Sequence, residues 1–199
     1  MKRRFIGLSI WMFFLSTLPG YAGAPLDTVQ TNVNKVLDVA RDPKLKGESA
    51  KGIKKEKLED IYEQMFDEVE LSMRTLGKNW TNFNPAQQQE FIQLYRQILE
   101  KAYIDKILSY TNERIVFSKE NMLSHNQAEI QTNVITSSKE IPIFYKVILK
   151  DGIWKVYDVV VENVSLVQNS RSQFNSILAK NTPDQLLEIL RKKVKEQGV

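Results

Sequence analysis

The sequence contains no cysteine and only one histidine, His125, among 199 residues. Without cysteine the chain can form neither a disulfide nor a thiolate site, and one histidine cannot supply the common zinc-ligand sets. A glycine-rich phosphate loop is also missing, and neither Ser165 nor Ser172 has a matched base and orienting group for a catalytic triad. His125 lies in a polar connection between strands, which favours an exposed loop position over a catalytic one. These absences argue against most nucleophilic and metal-dependent enzymes.

The start of the chain has the three parts of a secretory signal peptide. Residues 2–4 are all basic, residues 5–18 form an apolar run, and small residues follow up to Ala22. A membrane-spanning helix needs roughly 20 consecutive apolar residues, so this shorter run favours a signal that is removed over an uncleaved anchor. We therefore predict that residues 1–22 are cleaved during export.

Residues 23–199 are predicted to form one domain. The hydrophobic content of 42% is enough for a core, and the charged content of 26% is ordinary. Three of the charges behind the formal net charge of +4 lie in the leader, so the remainder is nearly neutral and gives little support for nucleic-acid binding. No later stretch is apolar enough to cross a bilayer, and we expect a soluble mature protein.

Apolar residues at steps of three and four predict helices in the first half of the chain. The first covers residues 25–39, and residues 44–57 form a charged linker or a short polar helix. Three helix starts carry the capping-box pattern, in which a cap residue and a partner three positions later bond each other's backbone: Asp67 with Glu70, Asn84 with Gln87, and Thr182 with Gln185. The helix after Asn84 is predicted to be the longest.

From Glu113 the period of the apolar residues changes to two, which predicts strands. The predicted strands cover residues 114–117, 129–136, 141–149 and 153–166, with a turn at Asp151-Gly152 and a bulge near Tyr157-Asp158. A helix is expected at residues 171–180. Helices, then one antiparallel sheet, then helices indicate an α+β fold, with a curved sheet of about four strands wrapped by N- and C-terminal helices.

Residues 154–174 carry a recognisable order of motifs. They read Trp-Lys-Val-Tyr-Asp-Val, then Glu-Asn-Val-Ser-Leu, then Asn-Ser-Arg-Ser-Gln-Phe. The order resembles the MlaC family, also called the toluene-tolerance family, with Asn163 at a family glycine and Ser170 at a family tyrosine. The resemblance implies an NTF2-like sheet that wraps a long helix into a cone with an apolar lipid cavity.

The resemblance also implies a function. Members of this family are periplasmic phospholipid-binding proteins that carry lipid between the outer and inner membranes and maintain outer-membrane lipid asymmetry. The implied partners are an MlaA-like outer-membrane lipoprotein, an inner-membrane ABC transporter reached through an MlaD-like MCE-domain subunit, and transiently the membrane surface. No cofactor is expected, because the bound phospholipid is the cargo.

Apolar and flexible side chains from the helices and the sheet are the candidates for lining the cavity. We predict the following lipid-binding residues: Met65, Phe66, Met73, Leu94, Ile98, Ile107, Ile143, Tyr145, Val147, Val156, Val159, Val161 and Phe174. From the sequence pattern alone a solid core would be favoured for these residues, and the resemblance is what favours a cavity.

Two other functions remain open at this point. Asp158 is the one acid inside an apolar strand, and a buried acid can act as a general base with a raised pKa, so the scaffold could belong to an enzyme for an apolar substrate. Alternatively, Asp158 could bond Arg171 or a backbone donor at the strand bend. A holding chaperone would use the same apolar surface for unfolded chains.

Overall fold

The computed structural model describes residues 24–109 and 113–196, and for residues 104–109 it describes only the helical backbone. The predicted signal peptide at residues 1–22 lies outside the described residues. Within them the chain forms helices, then an antiparallel sheet, then helices again. This order confirms the predicted α+β class.

Six α-helices lie in the described ranges, four before the sheet and two after it. They are α1 Pro25–Arg41, α2 Lys51–Met65, α3 Glu68–Leu76, α4 Pro85–Ser109, α5 Leu166–Leu178 and α6 Pro183–Glu196. Short 3₁₀ turns lie at Pro43–Leu45, Glu48–Ala50 and Gly77–Asn82, so the charged stretch at residues 44–57 is divided between turns and the start of α2. None of the helices described here is both long and apolar enough to cross a bilayer.

The sheet contains five strands in the described ranges, one more than the sequence predicts. They are β1 Arg114–Ser124, β2 Gln127–Ile135, β3 Glu140–Lys150, β4 Ile153–Val161 and β5 Val164–Ser165. The strands lie side by side in chain order, and each neighbouring pair is antiparallel. The predicted turn at Asp151 and Gly152 joins β3 to β4, with φ of 51° and 80°, as expected for a two-residue hairpin turn.

The predicted capping boxes explain where α4 and α6 begin. The Asn84 side chain accepts the Gln87 amide at 3.0 Å, and the Gln87 side chain accepts the Asn84 amide at 2.9 Å. Thr182 and Gln185 form the same reciprocal pair. These contacts satisfy backbone N–H groups that a helix leaves without partners at its start.

Only half of the third box forms. The Asp67 side chain accepts the Glu70 amide at 2.8 Å, but the Asp67 amide donates to the carbonyl of Val156 in β4 at 2.9 Å. The carboxylate of Glu70 is therefore free to pair with Arg74 and Lys150, at 2.7 and 2.8 Å. The start of α3 is thus hydrogen-bonded to the sheet instead of closing a full capping box.

The predicted long strand that reaches Leu166 is wrong, because a second turn interrupts it. After β4, Glu162 and Asn163 adopt positive φ of 49° and 67° and turn the chain back into β5. Asparagine tolerates this left-handed conformation, so the turn needs no glycine. The side chain of Ser165 then accepts the amide three residues on, at 3.0 Å, and this cap starts α5 at Leu166 instead of at Arg171.

Bulges account for the other differences along the sheet. The strand predicted at residues 114–117 continues to the end of β1, because extra residues at Ser118 and Leu123 break its two-residue alternation. In β4 the pairing also shifts by one residue, at Tyr157. That bulge confirms the predicted change of alternation near Tyr157-Asp158.

Two hydrophobic cores occupy the described part of the molecule. The helical core lies among α3, α4, α5 and α6, and the sheet core lies between α1, the end of α2 and one face of the sheet. We call the sheet face that packs against α1 the inner face. Phe66, in the junction between α2 and α3, packs against both cores.

Candidate functional site

The inner face is a row of apolar pairs across β3 and β4. The pairs are Leu149 with Trp154, Val147 with Val156, Tyr145 with Val159, and Ile143 with Val161. Val147 and Val156 are 0% and 1% exposed, whereas both members of the next two pairs are only half-buried. The inner face is therefore closed at the Val147 end and open towards Ile143 and Val161.

The open end continues across the sheet to β1. Ile115 and Phe117 are half-buried and lie opposite Val134 and Thr132 of β2, which are 2% and 1% exposed. We call six half-buried inner-face residues on this side of the Val147 pair the open strip: Ile115, Phe117, Ile143, Tyr145, Val159 and Val161. A strip of apolar side chains that the fold covers only in part is the kind of surface that takes an apolar ligand.

Helix α1 forms the wall opposite the inner face. Val29 and Val33 are 1% and 5% exposed and pack in the sheet core with Ala128 and Ile130. Val29 and Val33 lie in the predicted first helix and Ile130 in the predicted second strand, but none of them is among the predicted lipid-binding residues. The amphipathic spacing of α1 carries that signal, since its apolar stripe needs a partner surface.

Two buried polar groups at the inner face, the hydroxyl of Thr132 and the side-chain amide of Asn32, bond to nearby backbone carbonyls. The hydroxyl of Thr132 donates to the carbonyl of Ile143 at 2.7 Å, and the side-chain amide of Asn32, in α1, donates to the carbonyl of Thr28 at 3.0 Å. Bonded in this way, buried polar groups add little demand for a polar ligand. The inner face therefore suits hydrocarbon better than a charged or strongly polar ligand.

The predicted lipid-binding residues divide between the two cores. Those on or beside the inner face are Met65, Phe66, Ile143, Tyr145, Val147, Val156, Val159 and Val161. Those in the helical core are Leu94, Ile98 and Phe174. Met73 is 36% exposed, and for Ile107 the structure describes only the backbone. The structure thus brings together the sheet residues and the end of α2, but not the full predicted set.

Asp158 is buried on the opposite face of the sheet, where it joins β4 to α5. Its carboxylate accepts the hydroxyl of Ser165 at 2.7 Å and the amide of Val167 at 3.1 Å. Lys146 lies 3.6 Å from the same carboxylate. The expected backbone donor is therefore present, at the first turn of α5, and these contacts describe a structural junction rather than an open catalytic base.

Of the two partners predicted as alternatives for Asp158, the backbone donor is present, and the partner that is not used is Arg171. Its guanidinium donates to the carbonyl of Arg74 at 2.8 Å, near the end of α3. The chain reverses there at Gly77, with φ of 56°, and a Cβ at Gly77 would lie 3.3 Å from the Arg171 side chain. Arg171 therefore ties α5 to α3 at the point where glycine ends the helix.

A charged cavity of about 520 Å³ lies near the junction of α2, α3 and α4 with the β3–β4 hairpin. Arg96 lies 2.8 Å from Glu63, 3.2 Å from Glu68 and 2.6 Å from Glu100. Burial is the main cause that raises the pKa of Glu68, and the nearby Arg96 only partly opposes it. Burial likewise raises the pKa of Tyr62, whose ring lies under Arg96. This network holds three helices together.

His125 occupies the exposed two-residue turn between β1 and β2, as the sequence predicts. In the described ranges, no group of three or more histidine, aspartate and glutamate side chains is placed to hold a metal ion. The open strip is therefore the feature of the described molecule that best fits a binding function.

Comparisons with known proteins agree with the fold and with the motif order. The family model of the MlaC protein matches residues 30–192. The intermembrane phospholipid transport system binding protein MlaC of Haemophilus influenzae is 27% identical over 119 residues, which cover 57% of this chain and 56% of that protein. The chain thus spans about half the length of this curated relative.

A solved structure provides the comparison of folds. The phospholipid-binding protein of Ralstonia solanacearum, solved in complex with a phospholipid, superposes with a TM-score of 0.78 at 20% identity. The match covers 89% of this chain and all of the other, and at this identity it establishes the α+β architecture alone. Since the family model covers most of the sequence, the chain belongs to the MlaC family.

Proposed function

We propose that this protein is a periplasmic phospholipid carrier that moves lipid between the outer and inner membranes and so maintains outer-membrane lipid asymmetry. Residues 1–22 are removed on export in this proposal, and residues 23–199 act as one lipid-binding domain. The single observation that carries it is the open strip, because it offers apolar side chains that are only partly covered by the fold. Family membership and the names of the two similar proteins support the same function.

The energetics of extraction explain why such a carrier needs an apolar surface. An acyl chain of sixteen carbons forfeits roughly 12 kcal/mol when it leaves a bilayer, at about 0.8 kcal/mol per CH₂. Only apolar contacts can return most of this free energy. The strip can lie against an acyl chain, while the headgroup stays in water. We therefore expect binding that depends on chain length more than on the headgroup.

The proposed cycle needs no covalent chemistry on this chain. Lipid is taken up from an MlaA-like outer-membrane lipoprotein or delivered to it, and exchanged with an ABC transporter through an MlaD-like MCE-domain subunit. The carrier contacts each partner and the membrane surface only transiently, and no cofactor takes part. The enzyme alternative has little support in the geometry, because Asp158 faces α5 and has its donors already.

Native mass spectrometry of protein purified from cells tests the proposal. The expected result is a stoichiometric diacyl phospholipid bound to the mature chain. An empty protein with turnover of an apolar substrate would favour the enzyme instead. An empty protein that suppresses aggregation of unfolded chains would favour the holding chaperone.

A further inference from the structure

Polar contacts near both of its ends fasten helix α1 to the edge strand β1 and to Glu113, the residue just before that strand. At its start the backbone N–H of Leu26 donates to Oε2 of Glu120 at 2.8 Å. At its end the guanidinium of Arg41 donates to the backbone carbonyl of Glu113. Between these two contacts α1 covers the inner face. The position of α1 therefore depends on two polar contacts as well as on apolar packing.

Glu120 is an acid among the apolar inward-facing residues of β1, Ile115, Phe117 and Met122, and a bulge places it there. The strand pairs in step with β2 up to Phe117, skips Ser118, and resumes with Lys119. Because of the skipped residue, Glu120 lies opposite the buried Ile130 and faces inwards. Without the bulge the alternation would bring Lys119 inwards instead. The sheet thus presents a carboxylate where α1 begins.

The first turn of α1 has no cap of its own. A helix leaves its first N–H groups without internal partners, and the residue in the cap position, Ala24, has no side chain that can accept them. Pro25 has no N–H group, so the N–H of Leu26 is the first that needs an acceptor. Glu120 supplies it from another element, and a carboxylate at this end also complements the helix dipole.

The register of the sheet places the contact between Leu26 and Glu120 where the burial of the inner face changes. Glu120 lies opposite Ile130, which lies opposite Tyr145, which lies opposite Val159. At this row the inner-face residues of β3 and β4 change from buried, at Val147 and Val156, to half-buried, at Tyr145 and Val159. The start of α1 therefore stands over the point where the closed end of the face meets the open strip.

We propose that Glu120 is a positioning residue that holds the start of α1 on the inner face and so limits how fast a bound phospholipid leaves. The inference rests on the proposed carrier function and adds to it a residue that controls the rate of lipid release. When the contact between Glu120 and Leu26 breaks, the first turns of α1 lift and uncover the deep part of the face. Lipid then exchanges through a wider opening.

The test compares Glu120→Ala with Glu120→Asp, Glu120→Gln and the wild-type protein. Alanine removes the acceptor, aspartate keeps the charge but falls one methylene short, and glutamine keeps an acceptor of the same length. Glu129→Ala is the matched control, because Glu129 lies on the opposite face of the neighbouring strand and pairs with Gln131 there. The two measurements are hydrogen exchange of the α1 amides and transfer of bound lipid to vesicles of phosphatidylethanolamine and phosphatidylglycerol.

We expect the amides of the first turns of α1 to exchange roughly tenfold faster in Glu120→Ala, in line with the loss of one hydrogen bond to a charged group. Lipid transfer should accelerate by a similar factor, while exchange in α6 stays unchanged. Glu120→Asp should behave like Glu120→Ala. If Glu120→Ala does not fold, Glu120→Asp allows the same test in a folded protein. Glu120→Gln should lie near wild type, and Glu129→Ala should equal it.

Two outcomes would overturn the inference while leaving the carrier function intact. One is wild-type exchange of α1 in both Glu120→Ala and Glu120→Asp, which would mean that the contact does not hold the helix. The other is faster exchange of α1 with unchanged lipid transfer, which would mean that the helix does not limit release. A wild-type protein without lipid would instead overturn the proposed function, and the inference with it.

Discussion

The same charged substitution should have opposite consequences at two positions of β3 that lie four residues apart on the same face. Ile143 is half-buried in the open strip, and Val147 is 0% exposed at the closed end of the same face. Full burial of an aliphatic side chain contributes about 1.5–3 kcal/mol, so Ile143→Arg should cost about 1 kcal/mol, with part returned when the arginine stem covers the strip. Val147→Arg buries an unpaired charge, which costs several kcal/mol, against a total stability of about 5–15 kcal/mol for a domain.

We therefore expect Ile143→Arg to fold and to lose its phospholipid, because its guanidinium stands where an acyl chain would lie. Val147→Arg should unfold or melt far below the wild type. Asn133→Arg, on the opposite face of β2, should keep both fold and lipid. The assay combines thermal melting with extraction and quantification of lipid from each purified variant. A folded Ile143→Arg protein with its full lipid content would refute the assignment of the strip, and an unfolded one would show that the strip is packed core.

Two further predictions rest on the contacts of Asp158 and Glu68, and a third rests on the leader sequence. Asp158→Asn should lower the free energy of unfolding by about 1–3 kcal/mol in urea denaturation and leave the lipid content of the folded protein unchanged. Glu68→Gln should raise the free energy of unfolding at neutral pH but not below pH 4.5. Burial raises the pKa of Glu68 above its ordinary value of 4.5, so the folded state holds the proton more tightly than the unfolded state, and the stability of the wild type falls as pH rises from 4.5 through the raised pKa. The glutamine side chain carries no charge and should remove this loss of stability. N-terminal sequencing of exported protein should begin at Gly23, and an intact Lys2 would disprove cleavage.

Local sequence signals predicted the parts of the fold that depend on neighbours in the chain. The boxes at Asn84 and Thr182 and the turn at Gly152 each involve residues within three positions of one another. The β1 strand was predicted too short because the skipped Ser118 breaks the alternation on which strand prediction depends. The turn at Asn163 escaped prediction because valines on both sides of it resemble one continuous strand.

The site was harder to predict, because its members meet only through tertiary contacts. Alternation correctly placed Ile143, Tyr145 and Val147 on one face, but it could not show that burial changes along that face. The motif order that indicated the family contains no information on the opposite wall, so α1 was predicted as a helix but not as part of the site. Asp158 was correctly expected to bond a backbone donor, which is Val167. Arg171 lies four residues beyond that donor and bonds α3 instead.

Phe66 connects the two hydrophobic cores. Its ring contacts both the helical core and the sheet core, and the backbone beside it donates from Asp67 to β4. Two cores that share a side chain cannot loosen independently without exposing that side chain. If phospholipid binds the inner face as proposed, its stabilising effect should therefore extend to α3 to α6, and the protein with bound lipid should melt as one unit at a higher temperature than the empty protein.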